Sequence, residues 1–589
     1  MSTPSKITTL LLATVIVTTH FLCLPRWQQG TSKATIGWDV SGYYAYLPAI
    51  FIYDDLEQVA FLPEIIEKYQ PTPNLQQAFL HEASGNYVMK YSAGQAVFFA
   101  PFFLVAHAWA TASPTYLADG YTFPYQLLIS LGGLLYTFIG LFLMRKVLRR
   151  YFDEWPTALG LVGLVLGSNY LNYTAVDGAM THNTLFTVYA ALIYATIKYY
   201  EKPALLKGAA IGALVGLAAL TRPTEILSCL IPLLWGLDLT SRAASDERLR
   251  VWKTNLPSLA VAIVVTVAVG STQLFYWHHV TGDWIVYSYQ DEGFSWLRPH
   301  LLEGFFSYRS GWLTYSPLMV FSLIGFYPLY QKNRSVFFPT VIFAVLFMYV
   351  AFAWDIWWYG GSLGQRTMVQ CYPILVFPLC AAAGAVSKWK KPGRWAVTAV
   401  AVLFIYANLW FTHQAQRGEL LHVGQMTGPY YWATLFRYEH DTNRLKLLDG
   451  QRHLYPKIPA RSEIIFRDTA YRHTIDREHQ WAPETIVAAK DLPKDYDWLR
   501  VSATCATRQK EWNHWRMAQF IAITRNGAEV LEHDSYRIHR HVDHGGTKRL
   551  YLDVAKPTED FTDILVNFWN ADGDKPLTIT DLSIEACYE

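Results

Sequence analysis

The chain has 589 residues, of which 52% are hydrophobic and 16% aromatic, and only 16% are charged, against about 25% in soluble domains. That deficit excludes an ordinary soluble protein and indicates one built for a bilayer. A formal net charge of +2 excludes the broad basic surface that nucleic acid requires, and the Lys and Arg residues fall in short clusters between apolar runs.

Residues 7–24, ITTLLLATVIVTTHFLCL, follow Lys6 and approach the roughly 20 helical residues that cross a bilayer core. No small-x-small site follows, so the run reads as an uncleaved first helix rather than a signal peptide. Further spans are expected near 123–144, 157–172, 183–199, 204–220, 226–238, 255–277, 313–330, 336–354, 367–386 and 394–411, which makes about eleven. Basic clusters at Arg145–Arg150, Lys198–Lys207, Arg248–Lys253, Lys332–Arg334 and Lys388–Arg394 share one side if residues 94–112 do not cross. By the positive-inside rule that side is the cytoplasm. Residues 94–112 are therefore expected as a juxtamembrane or re-entrant helix within a long outer loop, 25–122. The N-terminus lies inside and the C-terminus outside, in a bacterial inner membrane.

The outer loops 25–122 and 278–312 far exceed the roughly 15 residues of a plain connector, a length that usually carries function. Their isolated charges each have a structural explanation. Asp39 in IGWDVSGYYAYLPA suits a helix N-cap beside a Ser41-Gly42 turn. Asp177 precedes Gly178 in a turn, and His182 suits a cap. Thr221 and Pro223 in TRPTE fit a helix start, and Arg366 could snorkel. Together these groups have a different meaning. Lys90, Arg222 and Arg366 are what the phosphate of an anionic lipid donor requires, and a carboxylate such as Asp39 can take the proton of an acceptor hydroxyl. The other class in contention, a transporter or flippase of lipid-linked sugars, would show mid-span charges and helix repeats. The charges here cluster at span ends and no repeat is evident.

Residues 412–460 read as a connector. Beyond them, WLRVSAT, QFIAITRN, RLYLDVA, DILVNFWN and LTITDLSIEA alternate like strands between turn residues, which predicts an extracytoplasmic β-sandwich over 461–589. Its last segments resemble carbohydrate-binding jelly rolls, with a structural cap as the other reading. Cys505 and Cys587 could pair there.

The order of features in residues 1–411 resembles the GT-C superfamily of integral-membrane glycosyltransferases, which includes protein O-mannosyltransferases and the lipid A aminoarabinose transferase. The resemblance rests on the early acid in WDVSGYYAYLPA, on MKYSAGQAVFFAPFFLVAHAW, on the next outer acid in AVDGAMTHN, and on TRPTE and WDIWWYGGSLGQR. It implies a polytopic α-helical GT-C-like domain that moves a sugar, with inversion, from a polyprenyl-phosphate donor to a glycan, lipid or protein acceptor. It casts Asp39 as base, Asp177 as second acid and Lys90 as a phosphate contact; Arg366, a candidate from the residues themselves, suits phosphate or pyrophosphate, and Arg222 is a further phosphate candidate. Tyr43, His182, Glu225 and Tyr359 are further cavity candidates. The chain departs from the pattern in lacking a paired-acid motif in the first loop. No metal ligand set is assigned, and a divalent metal, Mg or Mn, stays open.

Overall fold

A computed structural model describes residues 3–290, 292–449, 458–476, 478–507, 518–538, 541–542, 546–570 and 576–589. The chain divides into two compact units, Met1–Gly424 and Gln425–Glu589. The division falls inside the 412–460 segment expected to be a connector.

The first unit is helical and multi-pass. Among the described residues, seven helical segments are long and apolar enough to cross a membrane: Pro4–Gln28, Gly94–Ala112, Phe123–Leu148, Leu256–Thr281, Arg334–Ala353, Met368–Val386 and Lys391–Gln416. Three shorter apolar helices, Glu154–Leu166, Leu205–Thr221 and Pro223–Leu234, stand among them. The 21-residue helix Thr181–Glu201 is as long but opens with Thr181, His182, Asn183 and Thr184. All four are buried, so this polar helix is shielded by its neighbours. The Leu256–Thr281 helix instead leaves Ile263, Val264, Val267 and Phe275 exposed, as a lipid-facing surface requires.

Residues 94–112 form one continuous helix without Asp, Glu, Lys or Arg, long and apolar enough to cross a membrane by length and composition. Two expected elements differ. The expected span 313–330 is broken into Trp312–Tyr315, a 3-10 turn Pro317–Met319 and Val320–Lys332, because Pro317 has no N–H to continue the first helix. The expected span 157–172 stops at Leu166, with Gly167 as its C-cap. At one end of the bundle, Arg145 Nε donates to Ser5 Oγ at 2.9 Å. The basic cluster after the Phe123–Leu148 helix thus shares a side with the N-terminus.

Between the first and second long helices the chain builds a small platform: short helices Asp39–Tyr44 and Tyr46–Phe51, then a hairpin of β1 (Ala78–His81) and β2 (Asn86–Met89). Its core is aromatic, with Tyr43, Tyr44, Tyr46, Phe99 and Tyr125 buried together.

The second unit is the expected β-sandwich. Strands β3 (Arg461–Ile475), β10 (Leu577–Tyr588), β5 (Trp498–Ala506) and β8 (Thr547–Ala555) form one sheet in that order; β4 (Thr485–Ala488), β9 (Asp563–Asn570), β6 (Ala518–Asn526) and β7 (Glu529–Arg537) form the other. Every pair is antiparallel, and Val501, Phe520, Val566, Phe568 and Ile584 fill the space between the sheets. Cys505 and Cys587, which the sequence leaves open as a pair, are not paired. Cys505 lies opposite Ile579, whereas Cys587 lies opposite Trp498 at the other end of the ladder, and both are free and buried.

Candidate active site

Asp39 opens the helix Asp39–Tyr44, but its side chain caps nothing. The cap position belongs to Trp38, at φ 50° and ψ −130°, a left-handed conformation that costs about 1–3 kcal/mol for such a residue. The Trp38 N–H donates to the Pro71 carbonyl, and its own carbonyl accepts from Ser41 Oγ and Gln77 Nε2. Those bonds hold the chain in this conformation, and Ser41-Gly42 lies inside the helix rather than in a turn. The Asp39 carboxylate turns away from the helix instead. Oδ2 accepts from Arg366 Nη2 at 2.7 Å, and Oδ1 from the Tyr91 hydroxyl at 2.9 Å. Both Asp39 and Arg366 keep about a fifth of their side-chain surface exposed, 20% and 18%. Gly42 makes this contact fit: a Cβ there would lie 2.6 Å from the Tyr91 ring and 2.5 Å from Gln77 Oε1, displacing the tyrosine from Asp39.

Burial pushes the Asp39 carboxyl up, but the Arg366 charge, the Tyr91 and Arg366 hydrogen bonds and the Lys90 charge outweigh it and hold the group below its ordinary value. Asp39 is therefore ionised at neutral pH. Tyr91 moves the other way, because burial and the adjacent Asp39 charge raise its hydroxyl well above the usual tyrosine value. It stays a neutral donor.

Lys90 follows β2. Its N–H donates to the Gln77 carbonyl, and its Nζ lies 2.7 Å from Glu292 Oε1 and 5.5 Å from the Tyr289 ring centroid. Ser288 Oγ donates to the Lys90 carbonyl, so the second long outer loop is fastened to the first at this residue. Arg222 stands where the Leu205–Thr221 helix gives way to the 3-10 segment Pro223–Cys229. Pro223 does begin that segment, but Thr221 bonds back to Leu217 rather than capping it. The Gly94 end of its helix packs directly on this junction, where a Cβ would lie 2.3 Å from Thr221 N. That close approach brings the Lys90 and Arg222 segments together. Among the described residues the Arg222 guanidinium makes no ion pair or hydrogen bond, and it lies 5.8 Å from the Tyr359 ring.

Arg366 ends a turn-rich segment fastened from three sides. Asn169 Nδ2 donates to the Leu363 and Gln365 carbonyls, Ser310 Oγ donates to the Gly364 carbonyl, and the Tyr173 hydroxyl meets Ser362 Oγ at 3.1 Å. Its Nε is buried without an acceptor. Tyr359, at φ 52°, donates its hydroxyl to the Ala351 carbonyl, and burial, the largest influence, leaves that group pushed up to about 12.

These residues face a single cavity of about 290 Å³. It is lined by Asp39, Tyr43, Lys90, Arg222, Glu225, Tyr359 and Arg366, seven of the nine residues expected from the sequence. Asp177 is elsewhere, paired with Arg26 at 2.7 Å and accepting from Asn172 Nδ2 at 3.0 Å. His182 lies one layer behind the wall. Gln370 Nε2 donates to Glu225 Oε1, so Gln370 Oε1 accepts from His182 Nδ1–H, each at 2.6 Å. Tyr189 donates to the other oxygen of Glu225. His182 therefore supports the wall rather than capping its helix.

Among the described residues no three His, Cys, Asp or Glu side chains are grouped to hold a metal ion. The cavity carboxylates Asp39, Glu225 and Glu292 are each held by other side chains.

No family model matches the chain, and comparison with curated proteins finds no match. Solved structures similar to it include ArnT from Cupriavidus metallidurans, at 14% identity and TM-score 0.42 over 74% of this chain and 69% of that one. The Archaeoglobus fulgidus oligosaccharyltransferase is similar at 11% identity and TM-score 0.43, over 76% of this chain and 60% of that one. Arabinosyltransferase EmbB from Mycobacterium smegmatis is similar at 9% identity and TM-score 0.34, over 98% of this chain and 64% of that one.

Among the cavity residues that the sequence reading did not single out are Tyr91, Tyr289, Glu292 and Gln370. Tyr91 adjoins Lys90, and Tyr289 and Glu292 lie in the loop whose length marks it as functional. Gln370 carries no sequence signal, because one glutamine in an apolar helix is indistinguishable from core filler.

Proposed function

We propose that this cavity is the active site of a GT-C type glycosyltransferase, in which a polyprenyl-linked sugar phosphate donates its sugar to an acceptor hydroxyl on the outer face of a bacterial inner membrane. The observation that carries the reading is the convergence of Asp39, Lys90, Arg222 and Arg366, from four separate segments, on one cavity in which, among the described residues, the Arg222 guanidinium makes no ion pair or hydrogen bond. A half-buried guanidinium left without an anion suits a phosphate, which it can contact through two N–H groups. Leu227, Phe347, Val350 and Ala351 form the apolar part of the wall and suit the start of a prenyl chain.

Asp39 takes the general-base role. A carboxylate has about four lone-pair sites. Tyr91 and Arg366 occupy two, which leaves room for an acceptor hydroxyl. That hydroxyl attacks the anomeric carbon as its proton passes to Asp39 and the phosphate departs, a single displacement that inverts the centre. Tyr91 and Arg366 keep the base oriented, and the Lys90–Glu292 pair fixes the loop that closes one side. The β-sandwich is assigned to holding a glycan acceptor.

Photo-crosslinking tests the site directly. A benzophenone-bearing prenyl phosphate incubated with the protein in nanodiscs is expected to label the Pro223–Leu234 or Arg334–Ala353 segment, and Arg222→Ala is expected to abolish the labelling. Labelling elsewhere, or labelling unchanged in Arg222→Ala, would remove the assignment.

A further inference from the structure

The long loop that follows the Leu256–Thr281 helix carries apolar side chains outward. Leu297 is 97% exposed, Ile285 79% and Leu302 75%, and Trp284, Trp296, Leu301 and Phe306 are exposed as well. Single apolar residues on a surface are ordinary, whereas a dense group of them marks a surface that something covers. Two sets of contacts fix the depth at which this one lies. Trp284 stacks on His278 at 4.2 Å and meets Phe275 edge-on at 5.7 Å, so the chain leaving the helix turns back along its last two turns. Tyr349 donates its hydroxyl to the Trp296 carbonyl and stacks on the Trp296 ring at 6.3 Å. Tyr349 stands about 6 Å before the end of the Arg334–Ala353 helix. Trp296 therefore lies beside that span rather than beyond it.

The backbone holds the loop in that place. The Ser295 N–H donates to the Ala353 carbonyl at 2.7 Å and the His300 N–H to the Phe352 carbonyl at 2.8 Å. In the short helix Leu301–Phe306, Gly304 is the inward side, since a Cβ there would lie 2.6 Å from the Phe352 ring. Leu302 and Phe306, one turn apart, share the outward side. At Trp284 and Trp296 the apolar group joins the exposed stripes of the two flanking spans, Leu274 and Phe275 on one, Val345, Leu346 and Tyr349 on the other. Such stripes are what a span presents to acyl chains. The opposite side of the same loop is cavity wall, at Tyr289, Glu292 and Phe294. We propose that Ile285, Leu297, Leu302 and Phe306 are seated among the acyl chains of the leaflet on the cavity's side, so that membrane lipid forms the outer layer of this wall. Trp284 and Trp296 then stand in the interfacial zone that such rings favour. Arg298, exposed beside Leu297, reaches back to the headgroup phosphates.

The test is fluorescence quenching of the full-length protein in phosphatidylcholine nanodiscs. A thiol-reactive fluorophore is attached at Leu297→Cys, at Leu302→Cys and, as the polar reference, at Ala83→Cys in the exposed turn of the β1–β2 hairpin. Each variant also carries Cys23→Ser and Cys229→Ser, which remove the two thiols that are not buried, and a thermal melt establishes that it is folded. A phosphatidylcholine with a nitroxide high on its acyl chain is expected to remove most of the emission at positions 297 and 302 and little at 83, and aqueous iodide to act in the reverse order. Iodide quenching at 297 and 302 equal to that at 83 overturns the inference and leaves the apolar group to a protein partner. The unsubstituted protein supplies the second measurement, in nanodiscs doped with a phosphatidylcholine that bears a diazirine on its acyl chain. On illumination its peptides covering 296–306 are expected to gain the mass of the lipid; their recovery unmodified, with the Leu256–Thr281 helix labelled, also overturns the inference. Both measurements are made without a substrate, so their failure leaves the proposed transfer standing.

Discussion

The cavity and the β-sandwich both contain close Arg–carboxylate pairs, and their placement in the chain separates their meaning. In the sandwich, Arg500 and Asp553 are register partners on β5 and β8, in contact at 2.7 and 2.8 Å. Arg525 and Asp563 are register partners on β6 and β9. Directly opposed charges of this kind stabilise sheets. In the cavity, Asp39 and Arg366 are 327 positions apart and Lys90 and Glu292 are 202 apart, brought together by loops and a strained Trp38. Arg222, alongside them, makes no ion pair or hydrogen bond through its guanidinium among the described residues. Charge paired by the fold's own register supports the fold, whereas on the proposed function the charge assembled from distant loops around the cavity serves a ligand.

The largest expected effect tests that distinction at Asp39, where substitution by Asn should lower transfer by about 10²- to 10⁴-fold, the usual contribution of a positioned acid or base. Arg222→Ala should weaken donor binding by about 10- to 100-fold, as loss of a charged hydrogen bond implies. Binding by titration checks it, and an unchanged affinity would place Arg222 with the sandwich arginines. Tyr91→Phe concerns pH. The folded Asp39 group is held below its ordinary value, so the ionised base is present throughout the neutral range and is lost only as pH falls below about 3.9. Removing the Tyr91 hydrogen bond raises that value, so the acid limb of the pH–rate profile should move to higher pH; a limb that moves down or stays fixed contradicts the role. The smallest effect on function belongs to the sandwich: Arg500→Ala should cost about 1–3 kcal/mol, seen as a lower melting temperature, with donor affinity unchanged.

Much of this was legible in the sequence, for identifiable reasons. Apolar runs and strand alternation are local signals, and they give the helical unit and the strands β5, β6, β8, β9 and β10. Strand β3 was not legible, because an edge strand such as RSEIIFRDTAYRHTI is mostly exposed and carries charges that blur the alternation. Asp39, Lys90, Arg222 and Arg366 were recognisable as charges with no reason to stand at span ends. Asp177 carried the same signal and is satisfied by Arg26, since a lone charge in sequence does not reveal its partner. The N-cap reading of Asp39 failed for a backbone reason: Trp38 takes a conformation that no sequence pattern announces.

On the proposed function Asp39 is the base of a transfer reaction and not one half of a structural ion pair. Sugar transfer from a prenyl-phosphate donor, measured in proteoliposomes for the wild type, Asp39→Asn and Arg366→Lys with matched melting temperatures, tests it most directly. Turnover is expected in the wild type, retained donor binding with turnover lowered by about 10²- to 10⁴-fold in Asp39→Asn, and partial turnover in Arg366→Lys. Turnover in Asp39→Asn at the wild-type rate would contradict it.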